Sequence, residues 1–218
     1  MLTTEDFSAR CFTLRRRCTE FDEVVIDCGA LALAHQQDLA NCLPFLACGE
    51  ESAAHTFAGT LSRRVKEASR AQLRRVAQDE LRHEAWLARL ALALPAPESS
   101  LSTSESAAFF KHLVTRNVGL HFARIAALDL AVCRLLARLT HRDAALQAAP
   151  NIRQGLAHIA RDEARHVRVA SQLAGQHGVS LAMQEEIDQD LAAQLALLLA
   201  PIQPGLQRLM QRDAAACH

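Results

Sequence analysis

The chain has no tyrosine and one tryptophan, and aromatic residues make up only 4% of its 218 positions. Strands draw on aromatic and β-branched side chains, and no stretch alternates apolar with polar residues, so the composition argues against a sheet. Glycine (8) and proline (6) are few, and the apolar half of the composition is mainly Ala, Leu and Val. An all-α protein is expected. There is no excess of either charge, with 24 basic and 24 acidic residues, hence no basic field to gather phosphates and no support for a nucleic-acid partner. The seven cysteines (Cys11, Cys18, Cys28, Cys42, Cys48, Cys133 and Cys217) form no C-x-x-C pair. That argues against a disulfide framework and a zinc ribbon, and reads as reduced thiols of a cytoplasmic protein. Residues 1–17 lack the apolar core of a signal peptide, and the most apolar stretch, 191–202, is too short to span a bilayer, so no membrane association is expected.

The length suits one large domain with its own core, here a single domain over 1–218. Helical periodicity divides it into about six segments. After a polar leader, helices are expected over 19–41, over 44–66 with Pro44 in the first turn, and over 69–94. Pro95, Pro97 and the serine-rich stretch 99–104 form the one clear linker, and Ser102 with Glu105 matches a capping box that restarts the chain as a helix over 105–140. A helix over 150–176 stopped by Gly178, and a last one capped by Ser180 and ending or kinking at Pro201 and Pro204, complete the pattern. The core bundle is expected over 44–176, with 1–43 and 177–218 flanking it.

Two copies of a D-E-x-R-H motif lie in helical runs, Asp79-Glu80-Leu81-Arg82-His83 and Asp162-Glu163-Ala164-Arg165-His166. Residues three apart share a helix face, so one such helix can offer a carboxylate and an imidazole to a metal ion, and two helices can serve two ions. A lone E-x-x-H would be an ordinary solvated face. At about 100° per residue, however, Glu80 and His83 fall on a stripe with Leu73, Val76 and Leu87, and Glu163 and His166 with Ile152, Leu156, Ile159 and Ala170. Both motifs face inward. Burying an unpaired carboxylate costs several kcal/mol, so something must neutralise these groups.

Further acids are expected on the preceding helices. Glu50 shares a stripe with Leu46, Ala54, Phe57 and Leu61, whereas Glu51 is turned about 100° away and should matter little. Asp129 lies with Val118, Phe122, Ile125, Val132, Cys133 and Leu136. Glu50 precedes Glu80 by 30 residues and Asp129 precedes Glu163 by 34, spacings that suit two helices running out and back. Four carboxylates and two imidazoles form a donor set suited to iron or manganese, and four negative charges balance two divalent cations. Asp79 and Asp162 flank the stripes, placed to accept the distal N–H of a ligating histidine from the opposite half. Arg82 and Arg165, about 200° round from the acids, belong to the periphery or the surface.

Paired D-E-x-R-H motifs, each preceded by a helix with a single carboxylate, resemble the ferritin-like di-iron carboxylate superfamily, including bacterial di-iron monooxygenases and acyl-carrier-protein desaturases. Gly49-Glu50 with Ala53 and Phe57 is similar to the first ligand helix of rubrerythrins and ferritins. The resemblance spans 44–176. It implies a ferritin-like four-helix bundle and a dinuclear centre with Glu50 and Asp129 as single ligands, Glu80 and Glu163 as bridges, and His83 and His166 as terminal ligands. The superfamily usually has Glu where this chain has Asp129.

Two iron ions are the expected cofactor, with iron–manganese or di-manganese pairs as alternatives. The expected activity is that of a non-haem di-iron oxidase or monooxygenase that uses O2 to oxidise a small organic molecule. No flavin or nicotinamide motif is present, so a separate reductase or electron donor is expected. The alternative is ferroxidase or peroxidase duty on the same ligands, and a third reading is a metal-free interaction module. A homodimer is left open. His55 and His121 lie near the sectors of Glu50 and Asp129 as candidate extra imidazoles, and His158 falls off the face toward solvent. Cys133, as a lining of an oxygen or substrate pocket, and Phe109, Phe110, Phe122 and Trp86, as walls of a cavity, are alternatives to their first reading as core.

Overall fold

The computed structural model describes residues 26–58, 64–98, 101 and 103–211, and the regular elements among them are all helices. The two helices expected over 19–41 and 44–66 are one, α1 (Leu33–Ala58), which runs straight through Pro44. Proline inside a helix removes a hydrogen bond and costs about 3 kcal/mol. Here Leu39, Cys42, Leu43, Phe45 and Leu46 around it are all buried, each contributing roughly 1.5–3 kcal/mol, so packing outweighs the lost bond. The expected helix boundary at Pro44 therefore does not exist, and α1 begins at Leu33.

Helix α2 (Glu67–Ala93) follows. The chain after it is tied back to α1, where the Gln37 side chain donates to the Ala96 carbonyl at 2.9 Å and Asn41 Oδ1 accepts from the Glu98 N–H at 2.7 Å. Ser102, the expected cap, lies outside the described residues. The helix expected over 105–140 is instead two, α3 (Thr103–Leu113) and α4 (Val118–Leu139). Asn117 ends the run by capping α4, its Oδ1 accepting from the Leu120 N–H at 3.1 Å, a local bond that competes with helix continuation.

A 3-10 turn, Ala145–Ala148, leads into α5 (Pro150–Gln176), which has Pro150 in its first turn. It stops where Gly178 takes a left-handed φ of 87°, a conformation natural to glycine. Ser180 then caps α6 (Leu181–Leu199), and a 3-10 turn, Ala200–Ile202, passes into α7 (Gln203–Leu209).

Two apolar clusters show how the helices run. One holds Phe45 and Leu46 of α1 with Trp86, Leu87 and Leu90 of α2, Leu136 of α4 and Ile152 and Leu156 of α5. The other holds Phe57, Leu73, Val76, Phe122, Ile125, Ala170 and Leu173. Numbering rises along α1 as it falls along α2, and likewise for α4 and α5, so each pair is antiparallel. Helices α2 and α5 cross closely, since a Cβ on Gly155 would overlap the Trp86 ring. Helix α3 packs on α1 during the crossover between the pairs, α6 on α4, and α7 on α1. The last contact is fixed by Arg208, which donates to both oxygens of buried Asp38 at 2.9 and 2.6 Å. No helix among the described residues is long and apolar enough to cross a membrane, and Cys28, Cys42 and Cys133 are free thiols.

Candidate metal centre

Between the two apolar clusters lies a polar layer. It contains Glu50 of α1, Glu80 and His83 of α2, Asp129 of α4, and Glu163 and His166 of α5, each at most 5% exposed. The local reason is the helical period, because each acid occupies a position on a stripe whose neighbours one and two turns away fill the clusters above and below.

The six side chains meet. His83 Nδ1 lies 3.1 Å from Glu50 Oε2, 3.3 Å from Glu163 Oε1 and 3.6 Å from Glu80 Oε2. His166 Nδ1 lies 3.0 Å from Glu80 Oε1 and 3.5 Å from Glu163 Oε1. Glu80 and Glu163 thus reach both imidazoles, whereas Glu50 sits beside His83. Donor atoms of Glu50, Glu80, His83 and Glu163 fall within 4.8 Å of one another, and so do those of Asp129, Glu163 and His166. That span is about twice a metal–ligand bond of roughly 2.0–2.4 Å.

The donor atoms fit a cation better than they fit one another. Glu80 Oε1, Asp129 Oδ2, Glu163 Oε1 and His166 Nδ1 are buried without a well-formed hydrogen bond, although the first, third and fourth lie within 3.5 Å of an imidazole or carboxylate partner across the cluster. Buried polar atoms are ordinarily satisfied, and orphans that converge on one point call for an ion.

Each imidazole is held from behind by the other half of the chain. His83 Nε2 lies 3.2 Å from Asp162 Oδ2, and His166 Nε2 lies 3.4 Å from Asp79 Oδ2. An N–H donated to these aspartates turns each Nδ1 into the cluster. Arg165 joins the two aspartates, bonding Asp79 and reaching Asp162 Oδ1 at 3.0 Å, and Arg82 also bonds Asp79.

The electrostatics follow from burial and crowding. Burial pushes Glu50 up to about 8, with His83 opposing and Glu80 adding. Burial, then Glu163 and Glu80, raise Asp129 well above the usual carboxylate range. Burial works against charge on the imidazoles, but Glu50 raises His83 well above its ordinary value, and Glu80 with Asp79 and Glu163 raises His166 to about 12. Without metal, protons supply the positive charge. Outside the cluster, the bond from His83 holds Asp162 below the carboxylate range.

A small pocket of about 20 Å3 opens onto the carboxylate side, room for roughly one water. Glu50, Glu80, Asp129 and Glu163 form its floor, and Phe45, Leu46, Gly49, Ala53, Phe110, Leu128 and Val132 its walls. Neither histidine lines it, so the imidazoles and their aspartates lie on the far side.

Several expectations need correction. His158 does not stand apart, since its half-exposed ring places Nε2 3.5 Å from Asp162 Oδ2. The i, i+4 spacing from His158 to Asp162 carried that signal. Of the two places expected for Arg165 it takes the periphery of the cluster, bonding aspartates of both motifs, and Glu51 is buried at 8% exposure although it is outside the grouped donors. Of the extra imidazole candidates, His55 is exposed. His121 is buried, with burial and then Arg124 and Arg64 lowering it to about 4, and it is not among the grouped donors. Cys133 is half-buried with its thiol 3.6 Å from the Ala160 carbonyl, away from the pocket walls. Phe110 walls the pocket, whereas Phe122 packs in the second apolar cluster.

An antiparallel all-helical bundle carrying a buried carboxylate–histidine cluster on two paired motifs is the design of the ferritin-like di-iron carboxylate proteins. A family model described as Rubrerythrin matches residues 45–174, and the chain belongs to that family, whose members bind a di-iron centre. No curated protein and no solved structure matches the chain.

Proposed function

We propose that the protein is a dinuclear non-haem iron oxidoreductase that uses O2 to oxidise a small organic molecule, with two electrons per turnover drawn from an external donor. The observation that carries this reading is the apolar pocket on the carboxylate side of the centre. In this reading Glu50, Glu80, His83, Asp129, Glu163 and His166 would hold two irons. Irons held there would supply the electrons that activate O2, while the protein would fix the donor geometry and keep the reaction from bulk water.

The chain's own residues have definable tasks. Asp79 and Asp162 accept the Nε2–H of the histidines of the opposite half, which leaves each Nδ1 lone pair for a metal. Loading must release the protons that neutralise the cluster, so binding strengthens as pH rises. Phe45, Leu46, Leu128 and Val132 exclude water from the oxygen ligands. The family match itself favours a second reading, peroxide or ferrous-iron turnover on the same ligands. Apolar walls suit O2 and organic groups better than hydrated Fe2+, whose dehydration they would penalise.

The two readings separate in one assay series on the reduced, iron-loaded protein. The oxygenase reading expects O2 uptake that is accelerated by small apolar compounds and matched by their oxidised products. Uptake that responds only to added Fe2+, or consumption of H2O2 with O2 inert, would replace it with the second reading.

A further inference from the structure

We infer that the basic face over the seam between α2 and α5, on the imidazole side of the centre, docks an acidic one-electron carrier protein, and that half-exposed His158 is where the electron enters a chain of contacts to His83. This deepens the oxygenase reading, on which it rests for the need of an external donor.

The contacts lead from solvent to the cluster through one half of the repeat. Asp162 Oδ2 lies 3.2 Å from His83 Nε2 on its inner side and 3.5 Å from His158 Nε2 on its outer side, and the His158 side chain is 45% exposed. Arg161 Nη2 lies 3.3 Å from His158 Nδ1. A guanidinium can only donate, which leaves the proton of a neutral His158 on Nε2, the atom facing Asp162. The other half differs. Four residues before Asp79 stands Arg75, where the same count from Asp162 gives His158, and Arg82 and Arg165 close over Asp79 instead. Electron tunnelling weakens steeply with distance, and a run of close polar contacts from the surface to a metal-binding imidazole shortens the gap that a docked carrier must bridge. Each encounter oxidises the carrier by one electron and reduces one ferric ion to ferrous, so an iron pair needs two encounters.

Charge selects the partner. His158, Arg161, Arg165 and Arg168 fall within about 80° on α5, and Arg75 and Arg82 on the matching side of α2. Arg75, Arg161 and Arg168 are exposed. The acids of α5 are Asp162 and Glu163, both buried. Of the acids of α2, Asp79 and Glu80 are buried, Glu67 pairs with Arg70 and Arg74 at the helix start, and Glu84 is turned about 200° from Arg82. Among the described residues of the two helices this face therefore carries excess positive charge, although the whole chain has 24 residues of each sign. Such a patch speeds encounter with an acidic surface and turns a basic one away. Its exposed side chains include no Phe or Trp on which a nucleic-acid base could stack. The pocket lies on the opposite side of the centre, so a docked carrier leaves it open.

The test uses full-length protein, metal-free and iron-loaded, with a plant-type 2Fe–2S ferredoxin as the acidic probe and the basic protein cytochrome c as its control. Titration calorimetry at low salt should show ferredoxin binding to both forms and none of cytochrome c. Binding should weaken at least tenfold at about 0.3 M salt, where the screening length is under about 8 Å. Arg161→Glu with Arg168→Glu should weaken it at least tenfold. Arg116→Glu with Arg142→Glu, the same change of charge in the loops at either end of α4, should leave it within twofold. His158→Ala should bind ferredoxin as the wild type does, but reduction of its ferric centre by reduced ferredoxin, followed anaerobically by stopped flow, should slow at least fivefold. Reduction by methyl viologen radical, a small cation that needs no basic face, should keep its rate. Iron content checks that each variant holds its centre. No ferredoxin binding, equal losses in the two double variants, a DNA duplex that binds as tightly as ferredoxin, or an unchanged ferredoxin rate in His158→Ala would overturn the proposal. Because docking and reduction are read without turnover, ferredoxin docking with no organic product would refute the oxygenase reading and leave the docking face standing. Product formed with methyl viologen as donor, but no docking, would refute the docking face alone.

Discussion

Replacing Glu50 by Gln should strengthen the metal-free protein and weaken metal binding. Burial pushes Glu50 up to about 8 from 4.5. Below pH 4.5 the folded and unfolded chains both hold the proton, and the carboxyl carries no penalty. Between 4.5 and 8 the unfolded chain releases it while the folded chain keeps it, so stability falls as pH rises. At pH 7 this amounts to about 3 kcal/mol against folding. Glutamine has nearly the same shape and still offers His83 an acceptor, but it escapes the penalty. Metal-free Glu50→Gln should therefore match the wild type within about 1 kcal/mol at pH 5 and exceed it by about 1–3 kcal/mol at pH 8, as read by urea unfolding. The same variant loses an anionic ligand and should bind iron at least tenfold more weakly. A metal-free variant less stable than wild type at pH 8, or one that keeps full iron affinity, would refute the reasoning.

Asp162→Asn should leave the fold intact but lower metal affinity about 10–100-fold, because His83 loses the acceptor that orients its ring; equilibrium competition with a chelator measures this. Gly155→Val would drive a side chain into Trp86 where α2 and α5 cross. It should cost about 1–3 kcal/mol in denaturant unfolding.

Much of the architecture is legible in the chain, for reasons that differ from place to place. Helix α5 begins at Pro150 and stops before Gly178, residues whose backbone preferences act locally. The two D-E-x-R-H motifs could be placed on inward faces because helical period and hydrophobicity agree there, and the structure brings their acids and imidazoles together with Glu50 and Asp129. The exchange of partners, Asp79 with His166 and Asp162 with His83, follows from two-fold repetition of the motif.

What escaped depends on tertiary contact. Pro44 favours a helix start when only its neighbours are considered, but burial of α1 on several sides overrides that preference. The break before α4 is marked by side-chain bonds of Thr115 and Asn117 to the backbone, and residues 114–117 hold no proline or glycine. Glu51 is turned away from the apolar stripe of α1 yet is buried. The pocket was not legible, because Phe110 arrives on the crossover helix and its distance from Gly49 is set by how α3 packs on α1. The role of Arg165 likewise needed coordinates, since it joins aspartates from two different helices.

The central claim is that buried acids and imidazoles from four helices converge because a pair of cations holds them. Iron analysis of the reconstituted protein after removal of loose metal tests it most directly. The account predicts two irons per chain in the wild type and loss of the pair in Glu80→Ala and Glu163→Ala. A folded wild type that retains no iron, or the same iron content in all three proteins, would contradict it.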